Sequence, residues 1–219
     1  MNACAFLFDA NDGLRNDGVI KTMGYDLSQN PIAENASTLE DFAKLSGFRE
    51  FYKQHQPYYD SLIMQYHWFN PLSKMTSWLE QKFAREYGYY KVTFSPLVRG
   101  AHSTHRYADN GFEQTVMFVC SAPRLPKYND AMNEMIHSRV VFTEIDHNFL
   151  NPVSAEYYDE INRIFSNRTV WAQDPQASSY YDGFSVFNEY ITWAYFSIYC
   201  IEHFSSEDYE IFIPKMEDF

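Results

Sequence analysis

Val140-Val141-Phe142-Thr143-Glu144-Ile145-Asp146-His147-Asn148-Phe149-Leu150-Asn151-Pro152 is the stretch on which the reading of the chain turns. An apolar run leads into a Glu and a His three residues apart, and Asn-Pro closes it. At ~100° per residue, Glu144 and His147 fall about 60° apart on a helix and can face one site. Thr143 and His147, four apart, share that face. The spacing is that of His-Glu-x-x-His, in which two His one turn apart bind zinc and the Glu activates a water. Here the Glu and the second His are present, and Thr143 stands where the first His would be.

Working outward, the flanking segments predict further helices. Ser154 to Phe165 is amphipathic, with Ser154 as its expected cap. Val186 to His203 is apolar on almost every side and is expected to be buried. Glu189 lies in that helix, where an acid is costly unless a cation or a metal meets it. Upstream, a helical pattern runs from Thr38 through Phe42, Leu45, Phe48, Phe51 and Tyr52 to Tyr66, with Pro57 dividing it. Met75 to Tyr87 predicts another helix that turns Trp78, Leu79 and Phe83 inward and ends at Gly88. Tyr89 to Ser95 and Glu113 to Cys120 are β-branched and aromatic and predict strands. The order gives an α+β fold, mainly helical with a small sheet. One domain is expected over residues 1–219, with 1–38 an irregular segment rich in Asp-Gly and Asn-Asp turns.

Composition narrows the function classes. A net charge of −12 repels phosphate backbones, so nucleic acid is not expected as a partner. Aromatic residues make up 19% of the chain, enough Tyr and Phe to line a groove as well as a core. No stretch predicts a transmembrane segment or a signal peptide. Cys4, Cys120 and Cys200 lack metal-ligand or C-x-x-C spacing and are read as small apolar residues. A second Glu-x-x-His, Glu134 and His137, lies too close to the first for the separate long helices of a di-iron bundle.

Several short motifs in fixed order carry a resemblance. Phe48-Arg49-Glu50-Phe51-Tyr52 with Tyr58-Tyr59, Ser77-Trp78-Leu79-Glu80, Thr93-Phe94-Ser95-Pro96-Leu97 and the 143–152 stretch together resemble a bacterial domain-of-unknown-function family of zincin-like proteins. The similarity spans roughly residues 39–202. Such proteins resemble gluzincins, peptidases whose third zinc ligand is a Glu on a later helix. The resemblance implies a zincin-like metallopeptidase fold, export from the cell, and a peptide or protein ligand. It assigns Glu144 as catalytic base and His147 and Glu189 as zinc ligands. Thr143 departs from the pattern, because a neutral hydroxyl is a poor ligand beside imidazole. Two expectations follow. Either the site is degraded, leaving a pseudoenzyme that binds a peptide in the former cleft, or His102, His105 or Asp146 replaces the missing ligand.

Overall fold

The computed structural model describes residues 6–16, 31–94, 102–120, 125–173 and 180–216. It is a mainly helical α+β chain with a small three-stranded mixed sheet. Contacts divide it into two compact units, residues 1–64 with 107–114, and residues 65–106 with 115–219.

In the first unit, β1 (Phe6–Phe8) and β2 (Leu14–Asn16) pair antiparallel, Phe6 opposite Asn16. Asp9 closes the turn between them, its Oδ1 accepting from the backbone N–H groups of Asn11 and Gly13 at 2.8 and 3.0 Å. Arg15 pairs with Asp9 at 2.7 Å and Arg49 pairs with Asp12, so these carboxylates are committed to the turn. Four helices follow: α1 (Pro31–Glu34), α2 (Ala36–Leu45), α3 (Phe48–Gln54) and α4 (Gln56–Phe69). Gly47, at φ 64°, makes the left-handed step between α2 and α3. Pro57 sits in the first turn of α4, where its missing N–H costs nothing. The three- and four-residue repeat does form helices, but it is not turned into a core. Ala43 is the only buried residue of α2 and α3, while Phe42 is 58% exposed and Leu45 87%.

The second unit is built around α6 (Asp130–Ser154), preceded by α5 (Leu72–Phe83) and strands β3 (Tyr89–Phe94), β4 (Ser103–Asp109) and β5 (Phe112–Val119). The sheet order is β3-β5-β4, which leaves β4 at an edge. Asn110 and Gly111, both at positive φ, turn β4 into β5 as a two-residue hairpin requires; this turn and the strand ends beside it, residues 107–114, belong to the first unit. After α6 come a 3-10 turn (Ala155–Tyr157), α7 (Tyr158–Ile164), α8 (Arg168–Trp171), α9 (Gly183–His203) and α10 (Ser206–Met216).

Helix α6 takes in the 130–137 region, which the sequence leaves open between helix and loop, and overruns its expected end. It starts at Asp130, capped by Asn129, whose Oδ1 accepts from Met132 N–H at 2.8 Å. It runs through Pro152 to Ser154 rather than ending at Asn-Pro. A proline there frees the carbonyl four residues earlier, that of Asn148. The Tyr87 hydroxyl donates to that carbonyl at 2.6 Å, so the helix continues with its acceptor satisfied. Ser154 does not cap the next helix. Its hydroxyl contacts Asn151 O and donates to Asn188 Oδ1 at 2.7 Å. Upstream, α5 stops at Phe83 rather than near Gly88, because Ala84 itself takes the left-handed conformation.

Helices α6 and α9 pack side by side along a seam that changes character. At one end Phe142 meets Phe196 and Tyr199 with ring centroids 5.2 and 5.1 Å apart, backed by Trp78. At the other end the seam is polar, with Thr192 donating to Asp146 and Asn188 bonded to Ser154. Helix α9 is buried along that seam and not all round. Tyr190, Ile198 and Ile201 are exposed, because only one face has a partner. It begins a turn earlier than Val186, capped by Asp182, which accepts from Ser185 N–H at 2.8 Å.

Gly183, in that first turn, approaches α7 closely. A Cβ at this position would lie 2.8 Å from Phe165 Cβ and 2.9 Å from its carbonyl oxygen. Since backbone cannot swing aside as a flexible side chain does, Gly183→Ala is expected to lower stability by about 1–3 kcal/mol. The urea midpoint should fall with an unchanged slope.

Cys120 and Cys200 are free thiols, Cys200 buried; Cys4 lies outside the described residues.

Candidate functional site

Residues Arg139, Val140, Thr143, Glu144 and His147 recur at helical spacing along one face of α6 and form one wall of an open cleft of about 1140 Å³. Glu189, Tyr190 and Trp193 of α9 form a second wall, and Trp171 of α8 and Tyr180 also line the cleft. A smaller adjoining hollow shares Glu144, His147, Tyr180 and Glu189, and reaches His102, Ser103 and Thr104 at the start of edge strand β4.

The structure brings His147 and Glu189 together. His147 Nε2 lies 3.4 Å from Glu189 Oε1, and the other ring nitrogen, Nδ1, lies 3.4 Å from Asn151 Oδ1. Glu144 faces the same cleft and is almost buried. Asn148 braces the wall, its amide donating to Thr104 Oγ1 at 2.6 Å and to Glu144 O at 3.0 Å.

The electrostatics follow from this clustering. Burial raises the Glu144 carboxyl to about 7; His147 opposes that shift and Glu189 adds to it. Burial alone would push the His147 imidazolium down. The carboxylates of Glu189, Glu144 and Asp146 outweigh it and hold the pKa above the ordinary value. The Tyr180 hydroxyl is raised by burial and by the nearby Glu189 carboxylate.

The candidate replacement ligands fare differently. His102 reaches both hollows, but its Nδ1 accepts from Cys120 N–H at 3.3 Å, and burial with nearby Arg139 lowers its pKa. His105 points against Phe118, with ring centroids 6.0 Å apart, and lines neither hollow. Asp146 is fully buried in the α6–α9 seam, bonded to Thr192, about 100° around the helix from His147. The second Glu-x-x-His pair lies elsewhere: Glu134 meets Lys74 at 3.7 Å and His137 packs on Phe69.

Two ligands ~2.1 Å from a tetrahedral zinc stand about 3.4 Å apart, which the His147–Glu189 separation matches. Among the described residues the third ligand is missing. Thr143 Oγ1 donates to Val140 O at 3.1 Å, and no group of three or more His, Cys, Asp or Glu side chains among the described residues is arranged to hold a metal. The set present does not fit a catalytic zinc.

Sequence reading missed Tyr180, Arg139 and the aromatic wall. Tyr180 sits in a polar connection with no periodicity to mark it, and Arg139 precedes the motif by one turn. Among the described residues no helix is long and apolar enough to cross a membrane. In comparisons with known proteins, no family model, no curated sequence and no solved structure matches the chain.

Proposed function

We propose that this chain is a degenerate metallopeptidase-like protein that binds a peptide in the α6–α9 cleft and hydrolyses it weakly or not at all. The observation that carries the reading is the His147–Glu189 approach of 3.4 Å beside Glu144, because these are the residues a gluzincin-like site would use. The resemblance in the 143–152 stretch supports the same assignment. With Thr143 bonded to its own helix, the two remaining ligand positions form an ion pair, each partner supplying the charge that the other needs.

Peptide is the favoured ligand class because edge strand β4 opens onto the site through His102, Ser103 and Thr104. A strand edge offers backbone donors and acceptors to an extended segment. The test combines metal content and turnover. Protein purified without chelator or affinity nickel is expected to carry zinc well below one equivalent. Cleavage of a peptide library with added zinc is expected to be slow, and Glu144→Gln should not change it. Robust turnover that disappears in Glu144→Gln would make this an active enzyme and overturn the proposal.

A further inference from the structure

Arg139 is the cleft residue that a degenerate peptidase site leaves unused. It stands two turns before His147 in the same stripe of α6, its guanidinium carbon 5.7 Å from the ring centroid of Trp193 on α9. Burial brings its pKa down to about 10, so the side chain stays charged at neutral pH. The cleft is aromatic elsewhere too, Trp171 and Tyr190 meeting edge to face at 6.3 Å, and the Tyr190 hydroxyl donates to the Trp171 carbonyl. Glu144 and Glu189 line the same cleft, which therefore carries both signs of charge. Five residues of helix separate Arg139 from Glu144, about 7.5 Å of rise, close to two residues of extended peptide.

We propose that the cleft receives the carboxyl-terminal end of a peptide, with its terminal carboxylate on Arg139 and its last side chain against Tyr190 and Trp193. This rests on the peptide-binding reading and adds which end of the peptide binds and what anchors it. A guanidinium matches a carboxylate with two parallel N–H···O bonds, and its five donors allow it to serve a neighbour and a ligand together. A Trp–Tyr wall favours a large apolar or aromatic last residue. Glu144 and Glu189 repel a carboxylate and so set the direction in which the peptide lies.

The test compares a pool of tripeptides ending in Phe, Tyr, Leu or Met as free acids with the same pool amidated at the carboxyl terminus. Binding is followed by ligand-observed NMR and titration calorimetry. Free acids are expected to bind at least fivefold more tightly than amides. Arg139→Gln should abolish that difference while leaving amide binding unchanged, and Arg139→Lys should restore part of it. Equal binding of acids and amides to the unaltered protein would overturn the anchor and leave the peptide cleft standing. Binding of neither pool would overturn both. Should Arg139→Gln fail to fold, the acid–amide comparison on the unaltered protein still decides.

Discussion

The protein should lose stability as pH rises from 5 to 8, and Asp146→Asn should remove much of that loss. Asp146 is fully buried between α6 and α9. Its Oδ2 accepts from Thr192 at 2.7 Å, while Oδ1 has no donor among the described residues. Burial raises its pKa from 3.8 to about 7, against the opposing effects of Thr192 and His147. A carboxyl whose folded pKa is raised contributes stability that is complete below its unfolded pKa and lost as pH climbs through the folded one. Glu144, raised from 4.5 to about 7, acts in the same direction over the same window. His147, raised above 6.5, extends the loss upward, because its favourable protonation also disappears at higher pH.

At ~1.4 kcal/mol per pKa unit, Asp146 alone accounts for roughly 4 kcal/mol in the limit. The coupling among the three groups makes their contributions less than additive. In the Asp146→Asn variant the side-chain amide oxygen would still accept from Thr192, without a charge to desolvate. Thermal melts at half-unit steps of pH should therefore cross, with Asp146→Asn the more stable protein at pH 8. The net charge of −12 also grows more repulsive with pH, which is why the comparison with the variant decides and the slope alone does not. Parallel melting curves for the two proteins would show that Asp146 is ionised in the fold throughout.

What the sequence made legible tracks what is local. Glu144 and His147 share a cleft wall because three residues of helix put them there, whatever else the chain does. Glu189 stands out as an acid in an aromatic helix, but only the family resemblance matched it to the other two; in the fold it lies 3.4 Å from His147. The α+β order was readable for the same reason, each element carrying its own period. Features settled by distant residues were not readable. Pro152 reads as a stop, yet the helix passes it because Tyr87, 61 positions before Asn148, supplies a hydroxyl to the freed carbonyl. Phe42, Leu45 and Phe51 have the spacing of a core face and remain exposed, since a period announces a helix and not what covers it. Tyr180 reaches Glu189 from a connection, where no pattern constrains a side chain.

Thr143→His should raise zinc affinity at least tenfold. Position 143 lies one turn before His147 on the cleft face of α6, so an imidazole there projects toward the space between His147 and Glu189. Those two side chains already hold the separation that a shared tetrahedral ion requires. Among the described residues the third donor is missing, and one added N–Zn bond of ordinary geometry exceeds the ~1.4 kcal/mol that a factor of ten needs. The hydroxyl being lost makes one bond, to Val140 O within its own helix, so removing it frees no distant partner. Although Thr143 is 8% exposed, it borders the cleft, and the larger ring has that space to enter. Zinc must still displace the ion pair between His147 and Glu189, so binding should weaken below neutral pH, where the imidazole keeps its proton. Competition against a chromophoric chelator at pH 7.5 compares the two proteins directly. Equal affinities in a folded variant would mean that the His147–Glu189 approach is a structural ion pair with no capacity for metal.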